Sequence, residues 1–183
     1  MSLDIIIGPM FSGKSSRILS IVSRYSSLGV PILVVKHAAD QRYNGENEIV
    51  THDGRRIPCV AVESLNDVFL DNYQVVIVDE AQFFERLVPF CEYAVDVLRK
   101  NVFLVGLDGD SNRRPFGEIL KCIPLADRIE RLTALCHRCA NGTPGIFSFR
   151  LSGPEDQQVL VGGSDRYESL CRECYLEKVS GFV

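Results

Sequence analysis

No stretch of this 183-residue sequence approaches the ~20 consecutive apolar residues that cross a bilayer, and its first residues lack a basic segment followed by a hydrophobic run. Neither a membrane span nor a secretory leader is expected, and the sequence reads as a soluble, cytoplasmic protein. Basic residues are also in deficit: 20 Lys and Arg stand against 24 Asp and Glu, a formal net charge of −4. That balance argues against a protein that holds nucleic acid chiefly through phosphate contacts, which need a basic face. No internal repeat and no low-complexity tract is visible. With 46% hydrophobic and 24% charged residues the composition is ordinary globular, so disorder is not indicated. The length suits one main domain with a small appended module. Seven cysteines are an odd number for a set of disulfides, whereas four of them sit in two close pairs, which suits a metal in a reducing compartment. Cys59, Cys91 and Cys122 lie among apolar neighbours and read as buried small hydrophobes.

What is present is concentrated near the start. Gly8-Pro9-Met10-Phe11-Ser12-Gly13-Lys14-Ser15 fits G-x-x-x-x-G-K-[ST] without a mismatch. Gly8 and Gly13 let the backbone turn tightly, so that successive N–H groups can face phosphate oxygens. Lys14 adds positive charge against the β- and γ-phosphates of ATP, and Ser15 offers a hydroxyl to Mg²⁺ at the positive end of a helix. A glycine turn without a ligand is the plainer alternative, but the context fits the motif: Ile5, Ile6 and Ile7 read as a buried parallel strand, and Ser16 to Leu28 is apolar at helical spacing.

Further along, Pro31 to Lys36 reads as a second strand and His37 to Gly54 as a long polar loop. A short strand around Cys59 to Val62 and a helix from Ser64 to Leu70 follow. Val75 to Val78 is a strand ending in Asp79-Glu80; residues 84–100 read as a helix and Val102 to Leu107 as the next strand. Such alternation implies an α/β fold, a parallel sheet with helices on both faces. Ile123 to Thr133 leads out of this core, and a boundary is placed near Ala134, giving domains 1–134 and 135–183.

Asp79, ending a hydrophobic strand, is placed to hold Mg²⁺ in a phosphate-loop enzyme. Glu80 beside it can act as a base on water, as in an ATPase, or on a substrate hydroxyl, as in a kinase; residue chemistry alone leaves both open. A carboxylate pair capping a helix is the plainer reading. Cys136-His137-Arg138-Cys139 and Cys171-Arg172-Glu173-Cys174 form two CxxC pairs 31 residues apart, a strong signal for a closed, structural Zn²⁺ site of four thiolates. His137 is not needed as a ligand. Between the pairs, Ile146 to Leu151 and Gln157 to Val161 read as a hairpin turned at Ser152-Gly153-Pro154.

Together, G-P-M-F-S-G-K-S, D-E-A-Q-F-F (Asp79 to Phe84), L-D-G…R-P-F-G (Leu107 to Gly117), the two CxxC pairs and V-G-G-S-D-R-Y-E-S-L-C-R (Val161 to Arg172) resemble the zinc-containing, tetrameric type of thymidine kinase found in cytosol, many bacteria and large DNA viruses. The resemblance spans nearly the whole chain. It implies a phosphate-loop (RecA-like) sheet with a small zinc-binding lasso domain, and transfer of the ATP γ-phosphate to the 5′-hydroxyl of thymidine, and of deoxyuridine, in nucleotide salvage. In that pattern Glu80 is the base that takes the hydroxyl proton, with Asp40 and Arg42 beside the reacting groups. Met10, Phe83, Leu107, Phe116 and Ser148 surround the thymine, and Gln158 to Tyr167, including Leu160, Val161, Gly162 and Gly163, form the lasso that reads its polar edge. A homotetramer and feedback inhibition by thymidine triphosphate are implied by resemblance alone. Ser111 stands where the family usually has an aromatic, and Ser148 where it often has Thr, which implies tolerance of deoxyuridine and 5-substituted analogues. Two rival readings remain: an ATPase of the recombinase or helicase kind whose Glu80 activates water, and a non-enzymatic zinc-ribbon module switched by nucleotide.

Overall fold

The computed structural model describes residues 1–40, 47–51, 54–153, 158–159 and 162–181. Strand β1 (Ser2–Ile7) delivers the chain to the glycine loop and helix α1 (Lys14–Ser26) leaves it. Then come β2 (Ile32–His37), a hairpin of β3 (Glu48–Val50) and β4 (Arg56–Pro58), and the short β5 (Val60–Val62). The strands β6 (Val75–Asp79), β7 (Asn101–Gly106) and β8 (Arg128–Arg131), with helix α2 (Leu87–Cys91) between β6 and β7, complete the core. Six strands form one sheet in the order β5-β2-β6-β7-β1-β8, and every pairing in it is parallel.

Successive side chains of a strand leave opposite faces, so a sheet covered on both sides needs apolar residues without alternation. Ile5 and Ile7 enter a layer with Phe84, Leu87, Cys91 and Ile119, while Ile6 enters the opposite layer with Ile18 and Ile21 of α1 and Ile49 and Ile57 of the hairpin. Val75, Val76, Ile77 and Val78 are each 0% exposed. Burying such a side chain is worth ~1.5–3 kcal/mol, which makes β6 a firmly anchored place to mount a functional group. Cys59, Cys91 and Cys122 are buried as expected, and burial pushes the Cys59 thiol up to about 11.

After β8 the chain forms two small antiparallel pairs, β9 (Ala134–Leu135) with β10 (Pro144–Gly145) and β11 (Phe147–Arg150) with β12 (Tyr167–Leu170). Helix α3 (Arg172–Ser180) closes this unit, whose core holds Cys136, Leu170, Cys174 and Tyr175. Among the described residues no helix is long and apolar enough to cross a membrane.

Five expectations change. The loop from His37 to Gly54 contains β3, because three-residue strands with one buried Ile each are too short to show a period; residues 41–46 and 52–53 lie outside the described residues. Ser64 to Leu70 forms only a 3-10 turn over Leu65–Asp67, whose first N–H groups are met by Ser64 Oγ accepting from Asn66 N at 3.2 Å. Residues 84–100 start as α2 and widen into a π-helix over Glu92–Val97, with Leu98 N donating to Tyr93 O at 3.0 Å. The same apolar face is buried, which is why the spacing could not tell the two helices apart. Segment 123–133 supplies β8, an edge strand whose charged residues hid it; Glu130 pairs with Arg17 of α1 at 3.0 Å. Finally, the partner of β11 is β12; Gln158 and Val159 belong to no strand, and Gln157, Leu160 and Val161 lie outside the described residues.

Candidate active site

The glycine loop is shaped by steric necessity at both ends. A Cβ at Gly8 would stand 2.6 Å from the Leu132 carbonyl oxygen, and Gly13 caps α1 at φ 83, a left-handed conformation that other residues adopt at a cost. Lys14 is 9% exposed and folds back over the loop, its Nζ donating to the carbonyls of Gly8 at 3.1 Å and Pro9 at 2.7 Å. Ser12 Oγ is buried and has no hydrogen-bond partner among the described residues, an arrangement normally completed by a ligand or water. No acidic side chain occupies the first turn of α1, where Ser15 lies, so nothing there competes with an anion for the helix dipole. These features fit a phosphate group.

At the end of β6, Asp79 is 4% and Glu80 5% exposed. Glu80 is held at φ 50, ψ 42, with its N–H donating to Asp79 Oδ1 at 3.0 Å. A brace missed in the sequence fixes its carboxylate: Gln82 Nε2 donates to Glu80 Oε2, and Gln82 Oε1 accepts from Leu107 N at 3.0 Å. Gln82 lies within the D-E-A-Q-F-F segment, yet only the 3-10 turn Ala81–Phe83 aims it back at Glu80. Its backbone is confined by Gly117, where φ is +62 and a Cβ would meet the Gln82 carbonyl oxygen at 2.0 Å. Gly117→Ala is therefore expected to cost about 2–4 kcal/mol of stability and to lower kcat by moving the brace, measured by denaturant melts alongside steady-state rates.

A cavity of about 520 Å³, mouth included, connects the two elements. Of the residues expected at a nucleoside, Met10, Asp40, Glu80, Phe83, Leu107, Phe116, Ser148, Gln158, Gly162 and Tyr167 line it. Phe83 and Phe116 meet edge to face at 5.4 Å, giving a flat ligand an apolar wall. Gly163 does not line it; its N–H donates to Asp165 Oδ1 at 3.0 Å. Asp79, Lys14 and Ser15 lie off its wall, and Arg42, Leu160 and Val161 fall outside the described residues.

Ser111 and Val159, expected at the pocket and in the lasso, line it as well, and the cavity also takes in Gln82, Gly109, Asp110 and Arg150. Asp110 is the informative one: its Oδ1 accepts from the N–H groups of Asn112 and Arg114, both at 2.9 Å, and its Oδ2 from Gln158 Nε2 at 2.8 Å. The Asp-Ser-Asn run is a turn signal that would have found this residue. For Arg150 the sequence carries no comparable sign. The small unit reaches the glycine loop directly, Ser148 Oγ accepting from Met10 N at 2.9 Å.

The sulfur atoms of Cys136, Cys139, Cys171 and Cys174 all lie within 4.8 Å of one another, with Cys139 3.8 Å from Cys171 and 3.5 Å from Cys174. Four thiolates at Zn–S ~2.3 Å in a tetrahedron are about 3.8 Å apart, so the cluster has the dimensions of a zinc site. Burial alone would raise the Cys136 thiol, but N–H donors from Cys139, Cys171 and Arg138 bring it down to about 6, whereas burial and hydrogen bonds with the other thiols push Cys174 up.

A thymidine kinase family model matches residues 1–175. The thymidine kinase of Myxoma virus (strain Lausanne) is 41% identical over 175 residues, covering 94% of this chain and 95% of the relative. That of Yaba monkey tumor virus (strain VR587) is 38% identical over 177 residues, with 96% and 94% covered. The cytosolic thymidine kinase of Homo sapiens is 39% identical over 181 residues, with 98% and 75% covered.

Proposed function

This chain belongs to the thymidine kinase family, and from that membership we propose how its residues divide the work of moving the γ-phosphate of ATP to the 5′-hydroxyl of thymidine. The activity is ATP-dependent phosphorylation of thymidine to thymidine monophosphate. In the proposed division Glu80 takes the 5′-hydroxyl proton as the O5′–Pγ bond forms and the bond from Pγ to ADP breaks. The loop Gly8 to Ser15 holds the phosphates through Lys14 and its backbone N–H groups, apart from Pro9, which has none, and Met10, whose N–H goes to Ser148 Oγ, and Arg42 neutralises charge on the transferring group. Ser15 and Asp79 are assigned to Mg²⁺, which supplies charge neutralisation at the phosphates when bound. The thymine is assigned to Met10, Phe83, Leu107, Phe116 and Ser148, with Asp40 and Tyr167 toward the sugar and Gln158, Leu160, Val161, Gly162 and Gly163 reading the polar edge. Zn²⁺ on the four cysteines is structural, and residues 1–134 and 135–183 act as a nucleotide-holding and a nucleoside-holding unit.

The observation that carries this reading is a single cavity touching both Met10 of the glycine loop and the braced carboxylate of Glu80. Donor and acceptor can then meet at one wall. A homotetramer, inhibition by thymidine triphosphate and a cytoplasmic location complete the proposal; the cytosolic human relative supports the last. The test is a nucleoside panel with ATP and Mg²⁺. Thymidine is expected to turn over best and deoxyuridine second, with deoxycytidine and deoxyguanosine negligible. Loss of ATP without nucleoside monophosphate would make Glu80 a water activator and overturn the assignment.

A further inference from the structure

We propose that Tyr175 is a positioning residue for nucleoside binding, tying the four-cysteine cluster to the turn that forms one wall of the cavity; this rests on reading that cavity as the nucleoside pocket. Tyr175 directly follows Cys174 and is 3% exposed. Its N–H donates to Cys171 O at 3.0 Å, so its place is set by the same helical turn that presents two of the four thiols. From there its phenol donates to the backbone oxygen of Ser111 at 2.7 Å, across 64 positions of sequence. The Arg113 guanidinium covers the Tyr175 ring at 4.5 Å, and also faces Phe147 of β11 at 5.4 Å. One donor and one stacked cation therefore hold both ends of the segment Ser111 to Arg113.

That segment is a closed, hydrogen-bonded turn. Asp110 N donates to Arg114 O at 2.9 Å and Arg113 N to Asp110 O at 3.0 Å, while the Asp110 carboxylate closes the turn from inside. Ser111 and Asp110 both line the cavity, and Asp110 carries Gln158. Displacing the turn thus shifts a wall and releases a polar contact on the opposite strand of chain. Among the described residues Tyr175 bonds to Ser111 and Cys171 and not to Glu80 or the glycine loop, so the effect falls on nucleoside affinity and not on the chemical step.

Tyr175→Phe keeps the ring, the stacked Arg113 and the aromatic neighbours and deletes only the donor. Thymidine Kd by calorimetry, and KM with it, are expected to rise about fivefold, with kcat, KM for ATP, zinc content and melting temperature close to those of the unchanged protein. Arg113→Ala, an exposed substitution, is expected to raise the same Kd about twofold and gives a second reading should Tyr175→Phe fold poorly. Unchanged thymidine Kd in both variants, or a lowered melting point with unchanged Kd, would overturn the proposal and leave Tyr175 a packing residue. Phe83→Ala separates the two levels: if it weakens thymidine while Tyr175→Phe does not, the pocket stands and the tie fails. If neither weakens binding, the pocket reading fails and the inference with it.

Discussion

Glu80→Gln is expected to lower kcat about 10³-fold or more while leaving the Kd of a non-hydrolysable ATP analogue within about twofold. The substitution is nearly isosteric, and an amide oxygen can still accept from Gln82 Nε2, so the brace to Leu107 and the fold of the β6 terminus are retained. What disappears is the ability to take a proton. Glu80 is buried, and the amide that replaces its carboxylate still fills its place beside Gln82, which leaves little room for a water to stand in as the base. ATP binding is spared because the glycine loop is shaped by Gly8, Gly13 and the buried Lys14. Single-turnover transfer paired with titration of the analogue separates the two effects, and near-normal turnover would remove Glu80 from its proposed role.

The second large effect is expected at the cysteines. Chelation of zinc, or Cys174→Ser, should raise thymidine Kd about 100-fold or more while the parallel sheet stays folded. A structural zinc contributes ~10–16 kcal/mol in small zinc-finger peptides, which exceeds the net stability of most domains. Among the described residues the unit around it has a small core of Cys136, Leu170, Cys174 and Tyr175, flanked by partly buried Phe147, Phe149, Cys139 and Cys171. Without the metal, two buried and two half-buried thiols would be the centre of that core. The sheet has its own two apolar layers and does not depend on it. Limited proteolysis should then cut after Ala134 first, with circular dichroism retaining the main signal. Zinc-free protein with full stability and full thymidine affinity would rule out a structural metal.

The parts of this molecule legible in the sequence are those where chemistry needs a fixed spacing. The glycine loop, the carboxylate pair ending β6 and the two CxxC pairs were found because backbone turns dictate their intervals. Apolar runs gave away β1, β6 and β7, since strands of a parallel sheet covered on both faces are mostly apolar along their length. The remainder depends on distance in space. β8 reads as charged because it is an edge, and β3 and β4 are too short for a period. Gln82, Asp110 and Tyr175 act through partners 25, 48 and 64 positions away, which no local window can contain.

The sheet order has a consequence for how the chain reaches this state. β1 is the first strand made, yet its neighbours are β7, registered Ser2 against Asn101, and β8, registered Asp4 against Arg128. A growing chain therefore carries its nucleotide strand unpaired in this sheet until residue 101 and later have emerged, while β2, β5 and β6 can already associate. Closing so long a loop costs entropy before any contact rewards it. The strand that leads into the glycine loop is thus among the later ones to be paired, and a nucleotide present during synthesis has nothing to hold until more than half the protein exists.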